Sequence, residues 1–217
     1  MDAQVVLPGS CIRLEPGGHA TCWMLVRNLG LTAGRFTFEV VGAAASWTTL
    51  NPPVLALGPE AAGHVAVHFR PPRAAHVRAG AIPFGVLTTS NRKPAGPVVE
   101  QLLEVGRFAN TVVELIPRSV RRASATFVLT VANWGNDTVR VSLRGRDPSG
   151  GLWVECAPTR LTVFPGTLAQ SRIRVRPMRR CLRGSPLAHP FQVIVDPGSD
   201  VPLIATGELV AHPILPR

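Results

Sequence analysis

Apolar and polar residues alternate with a period of two along much of the chain. In the run 20–26, Cys22, Met24 and Val26 share one face, and Phe127, Leu129 and Val131 repeat the pattern further on. Phe36, Phe38 and Val40 alternate with Thr37 and Glu39, and Val139, Val141 and Leu143 with Arg140, Ser142 and Arg144. Val65, Val67 and Phe69 alternate with Ala66, His68 and Arg70, and Ile173 and Val175 with Arg172, Arg174 and Arg176. Successive side chains of a strand point to opposite faces, so each run predicts a half-buried antiparallel strand with one wet face. No stretch carries the 3.6-residue period of an amphipathic helix.

The pattern is stated twice. Asn28-Leu29-Gly30 recurs as Asn133-Trp134-Gly135, and Gly58-Pro59 as Phe164-Pro165-Gly166. Phe69-Arg70-Pro71 recurs as Val175-Arg176-Pro177, and Pro83-Phe84 as Pro190-Phe191. The offsets lie between 105 and 107 residues, too long for a solenoid unit and right for a whole domain. The chain therefore reads as all-β: two tandem immunoglobulin-like β-sandwich domains, residues 1–108 and 109–217, joined by a short linker near 107–111. About seven strands per domain are expected. The two Asn-x-Gly triplets predict reversals at positive φ. Pro52-Pro53, Gly58-Pro59 and Pro165-Gly166 predict strand ends.

Several of these residues resemble a known family. Leu14-Glu15-Pro16-Gly17-Gly18 followed by Val26-Arg27-Asn28, and Trp47 followed by Asn51-Pro52-Pro53, Leu57-Gly58-Pro59 and Phe69-Arg70-Pro71-Pro72, resemble bacterial Ig-like domains of the α-galactosidase-associated type. With Glu114-Leu115-Ile116-Pro117-Arg118 opening the second copy, the paired form is similar to tandem domains of actinobacterial proteins loosely called hydrolytic proteins. The resemblance implies a sandwich fold; by analogy with relatives appended to enzymes it also suggests a carbohydrate-binding module. Many such relatives continue into a proline-rich linker and a membrane helix.

Composition narrows the function. The chain has 217 residues, 46% of them hydrophobic and 17% charged, as in an ordered globular protein. Its net charge is +10, and all but Lys93 of its 23 basic residues are arginine. A GC-rich genome accounts for such a bias as well as a ligand does. The charge is uneven: residues 1–108 carry 9 basic and 6 acidic groups, residues 109–217 carry 14 and 7. The second half is thus the better surface for anions. Tyrosine is absent and aromatics are few, which argues against a stacking platform for single-stranded nucleic acid. No secretory signal or long apolar run is seen, so a cytoplasmic protein with reduced thiols is expected. Cys11, Cys22, Cys156 and Cys181 lack the spacing of a zinc site or redox pair. Cys22 falls on the slot of Phe127, as a small core residue; whether it is bridged to Cys11 stays open.

The strongest local signal is Arg172-Ile173-Arg174-Val175-Arg176. Alternation puts three guanidinium groups on one solvent face, about 6–7 Å apart. Arg179, Arg180 and Arg183 extend the patch, and Arg140 and Arg144 are expected to enlarge it. Such a face suits an acidic protein surface, with nucleic acid or anionic lipid less favoured for lack of an accompanying motif. The plain alternative is a solvated face whose charges discourage edge pairing. His64 and His68 share a strand face but stand about 13 Å apart by strand rise, too far for one metal ion. No Gly-x-Ser-x-Gly elbow or paired carboxylates are present, so no enzyme, cofactor or small-molecule substrate is expected. Trp47 and Trp153 read as edge-of-core residues, and Trp134, inside its turn, as an exposed contact. The leading reading is a non-catalytic adaptor that binds protein partners with acidic surfaces as part of a multi-protein assembly. The rivals are a carbohydrate-binding module, which needs clustered exposed tryptophans, and a polyanion or membrane-surface binder.

Overall fold

The computed structural model describes residues 3–9, 12–91, 96–179, 186–198 and 201–211. The chain divides into two compact units, Met1–Phe108 and Ala109–Arg217. In the first, β1 (Ala3–Val6), β2 (Ile12–Leu14), β3 (Ala20–Asn28) and β4 (Gly34–Gly42) are followed by a single 3-10 turn, Ala45–Trp47. Then come β5 (Thr48–Asn51), β6 (Val54–Leu57), β7 (Ala62–Phe69), β8 (Gly80–Ser90) and β9 (Val98–Val105). They form a four-stranded sheet, β1-β3-β7-β5, and a five-stranded sheet, β2-β9-β8-β4-β6.

The second unit repeats this order. It comprises β10 (Thr111–Ile116), β11 (Ser119–Arg121), β12 (Ala125–Asn133), β13 (Val139–Arg146), β14 (Leu152–Ala157), β15 (Arg160–Val163), β16 (Thr167–Pro177), β17 (Leu187–Asp196) and β18 (Leu203–Ala211). Its sheets are β10-β12-β16-β14 and β11-β18-β17-β13-β15. Both units are immunoglobulin-like β-sandwiches, as the repeat implied.

Among the described residues each unit has nine strands rather than the expected seven, because two strands of each are broken. Pro8 and Pro117 interrupt the first, and Asn51-Pro52 and Ala157-Pro158, both cis, interrupt the other. Proline donates nothing to the ladder, so pairing stops there and the next segment joins the opposite sheet. The short strands β2 and β11 also pair in parallel, with β9 and β18.

The alternating residues fill the cores. Met24, Val26, Val65, Val67 and Phe69 are fully buried in the first unit, and Phe127, Leu129, Val131, Ile173 and Val175 in the second. Each such Phe, Leu or Val contributes about 1.5–3 kcal/mol by leaving water. Phe69 meets Phe84 edge-on at 5.2 Å between ring centres, and Phe127 meets Phe191 at 4.9 Å. Cys22 is a buried free thiol in the core, and burial pushes it up to about 11. Cys11 and Cys181 lie outside the described residues.

The Asn-x-Gly triplets do a different job from the one expected. Positive φ occurs at Glu60 and at Gly17, Gly42, Gly80, Gly150, Gly166 and Gly198, not at either triplet. Asn28 and Asn133 are instead buried connectors. The Asn28 amide donates to the carbonyls of Thr32 (2.9 Å), Leu57 (3.3 Å) and Gly58 (2.9 Å), and its oxygen accepts from the Gly30 N–H (2.9 Å). Asn133 donates to Asp137 (2.8 Å) and Val163 (3.0 Å) and accepts from Gly135 (3.0 Å). Each asparagine ends a strand of one sheet and clips it to the end of a strand of the other. A backbone reversal and a buried polar contact are satisfied by one side chain.

Candidate partner-binding site

β16 is an inner strand, flanked by β12 and β14. Its inward positions are closed: Ile173 and Val175 are buried, and the Ser171 hydroxyl donates to the Pro158 carbonyl at 2.8 Å. That register forces Arg172, Arg174 and Arg176 onto the outer face, where all three are exposed. Arg172 stands between Val128 and Ala157, and Arg174 between Thr126 and Glu155. Arg176 stands beside Trp153, with its guanidinium 4.2 Å over the ring centre. A cation above an indole face is held flat by the ring's quadrupole, so Arg176 is oriented before any partner arrives.

An open groove of about 780 Å³ runs along this end of the second sandwich. Arg174, Arg176, Trp153 and Glu155 line it together with Arg122, Ser124 and Thr126. Three arginines from two parts of the chain thus converge, with the Glu155 carboxylate among them. Arg122, Trp153 and Glu155 were not legible as members of this site. The adjacent pair Arg121-Arg122 just ahead of β12 is the signal that could have found Arg122.

Arg140 and Arg144 do not enlarge the patch as expected. They stand on the outer face of the other sheet, separated from β16 by the thickness of the sandwich. There Arg140 and Arg160 flank a smaller open groove of about 310 Å³ with Ser142, Thr162 and Asp196. Arg179 is exposed just beyond β16; Arg180 and Arg183 lie outside the described residues. Trp134 is exposed, but it follows the far end of β12. Nine residues of strand put it about 30 Å from the Arg176 end.

Nor do the tryptophans gather. Trp47 packs on Phe69 at 6.4 Å, as an edge-of-core residue. Trp153, its counterpart, is on the outer face under Arg176, which corrects the core assignment. Trp134 and Trp153 occupy opposite ends of the second unit, so they form no common platform for a sugar ring. His64 and His68 sit on the outer face of β7, with the Thr21 hydroxyl 2.9 Å from His68 Nδ1. Among the described residues no group of His, Cys, Asp and Glu is placed to hold a metal ion, and no helix is long and apolar enough to cross a membrane.

One acidic group has a defined task. The Asp147 carboxylate, in the turn between β13 and β14, accepts from the N–H groups of Ser149, Gly151 and Leu152 and from the Ser149 hydroxyl, at 2.6–2.8 Å. Burial alone would raise its carboxyl; the hydrogen bonds outweigh that and hold it below the ordinary carboxylate range. This is turn chemistry, which ties the start of β14, and therefore Trp153, in place.

No protein-family model matches the chain, and no curated protein matches it in sequence. Solved structures resemble it in fold. A protein of unknown function from Porphyromonas gingivalis W83 is 15% identical, with a TM-score of 0.36 over 97% of this chain and all of that one. The D00-D0 domain of intimin is 11% identical, at 0.40 over 96% and 99%. The CupB2 chaperone of Pseudomonas aeruginosa is 10% identical, at 0.33 over 95% and 100%. At these scores the likenesses carry no weight for what this chain does.

Proposed function

We propose that this chain is a non-catalytic binding protein whose second unit holds an acidic protein partner against β16, as one component of a larger assembly. The observation that carries the reading is the line of Arg172, Arg174 and Arg176 on an exposed inner strand, beside a groove that adds Arg122. The sandwich does not demand these charges. The same positions of the same fold in the first unit hold Ala66, His68 and Arg70. Three guanidinium groups side by side repel one another in the free protein, and a partner's carboxylates relieve that repulsion.

The test is a nuclease-treated pull-down with the tagged full chain from its own cells, read by mass spectrometry at rising salt. Capture of a stoichiometric protein is expected with the wild type and with R140E/R144E, and its loss with R172E/R174E/R176E. Capture indifferent to the triple charge reversal would overturn the reading, as would retention of no protein by the wild type.

A further inference from the structure

The spacing of the arginines specifies more than the sign of a partner. Arg172, Arg174 and Arg176 occur at alternate positions of one continuous strand, so their Cα atoms repeat at about 6–7 Å. An extended peptide presents alternate side chains at the same repeat, whereas a helix offers neighbours only three and four residues apart. A segment with acidic residues at alternate positions therefore meets all three arginines in register.

We infer that the β16 face takes an extended acidic segment whose carboxylates recur at every second residue and whose run is flanked by an apolar residue. The inference rests on the proposed reading of this face as a protein-docking surface. Neighbours of the arginines favour a peptide over a phosphate backbone. Trp153 is capped by Arg176 and offers no open ring for a base to stack on. At the Arg172 end, exposed Ile116 and Val128 share its cross-strand row and supply an apolar contact that a nucleic-acid backbone cannot use.

Fluorescence anisotropy with short labelled peptides tests this on the full chain. One peptide alternates Glu with Thr; a second has the same composition with its glutamates in one block; a third carries Gln in place of Glu. Oligothymidylate serves as the phosphate probe. The alternating peptide is expected to bind about tenfold more tightly than the block peptide, a difference of about 1.4 kcal/mol. Its binding should vanish with Gln and with R172E/R174E/R176E, weaken with the milder R174Q, and persist with R140E/R144E. Equal affinity for alternating and block peptides overturns the register inference. Tighter binding of oligothymidylate overturns it in favour of a nucleic acid. Should the pull-down yield a partner lost on charge reversal while the peptides show no preference, the register inference fails and the docking surface stands. Should the alternating peptide bind while the pull-down partner ignores the charge reversal, the register inference holds and that partner docks elsewhere.

Discussion

Phe127 on β12 meets Phe191 on β17 edge-on at 4.9 Å, whereas the first unit makes the same contact from a different strand, with Phe69 on β7 meeting Phe84 at 5.2 Å. Where the second unit has Phe127, the first has Cys22; where the first has Phe69, the second has Val175. The two sandwiches thus place one ring and one small side chain in adjacent slots, in opposite order. The ring changes slot while the smaller partner is Cys in one unit and the somewhat larger Val in the other, the kind of redistribution a close-packed core tolerates.

This exchange predicts coupling. Cys22→Phe alone overpacks the first core and should cost about 1–3 kcal/mol. Phe69→Val alone leaves a cavity and should cost about 2–4 kcal/mol. The double variant recreates the arrangement of the second unit, and its loss should fall short of the sum by at least about 1 kcal/mol. Urea unfolding of the three variants reads this directly; strict additivity would show that the slots do not share volume.

The paired asparagines make a second prediction. Asn133→Ala removes three hydrogen bonds and strands the Val163 carbonyl between the sheets, which should cost about 2–4 kcal/mol. The effect should be confined to one sandwich. Hydrogen exchange read by mass spectrometry should show β12 and β15 losing protection while β3 and β6 keep theirs, and Asn28→Ala should give the reverse. A uniform loss across both units would mean that the asparagines do not act as local clips.

The alternation of Met24 with Trp23, or of Ile173 with Arg174, was enough to assign faces, because a strand leaves a side chain only two directions. The sheet to which a strand belongs was less legible. Alternation does not say which sheet a segment joins after a proline, so Pro52-Pro53 marked the end of β5 without showing that β6 pairs on the opposite side. For the same reason Arg140 and Arg172, both outward, gave no sign that they face opposite ways. Trp47 and Trp153 diverge because Trp47 sits in a 3-10 turn ahead of β5, while Trp153 is already within β14 and takes the outward direction. The groove itself joins Arg122 to Arg174 across half a domain of sequence, a proximity set by the pairing of β12 with β16.

Asp147 should give the second unit a distinct acid response. Its carboxyl lies lower in the folded chain than in the unfolded one, so its contribution is complete above the unfolded value of about 4. The contribution is lost as pH falls from there through the folded value. The wild type should therefore lose stability more steeply than Asp147→Asn as pH falls from about 5 to 2, in thermal melts at fixed salt. Above pH 5 the variant should be the less stable of the two, and parallel curves would show that the turn hydrogen bonds do not favour the charged form.

The buried thiols predict a chemical readout of each core. Burial pushes Cys22 to about 11, and it raises Cys156 too, with the neighbouring Glu155 adding to the effect and a hydrogen bond from Gly145 opposing it. At pH 8 only about one Cys22 side chain in a thousand is thiolate, the form that attacks an alkylating reagent. Both cysteines should therefore resist iodoacetamide in the folded chain and react fully in urea, as peptide mapping of the two sites would show. Because each thiol is shielded by its own sandwich, Asn133→Ala should speed alkylation of Cys156 and leave Cys22 unchanged. Rapid labelling of Cys22 in the native wild type would contradict its place in the core, since neither burial nor a raised pKa permits it.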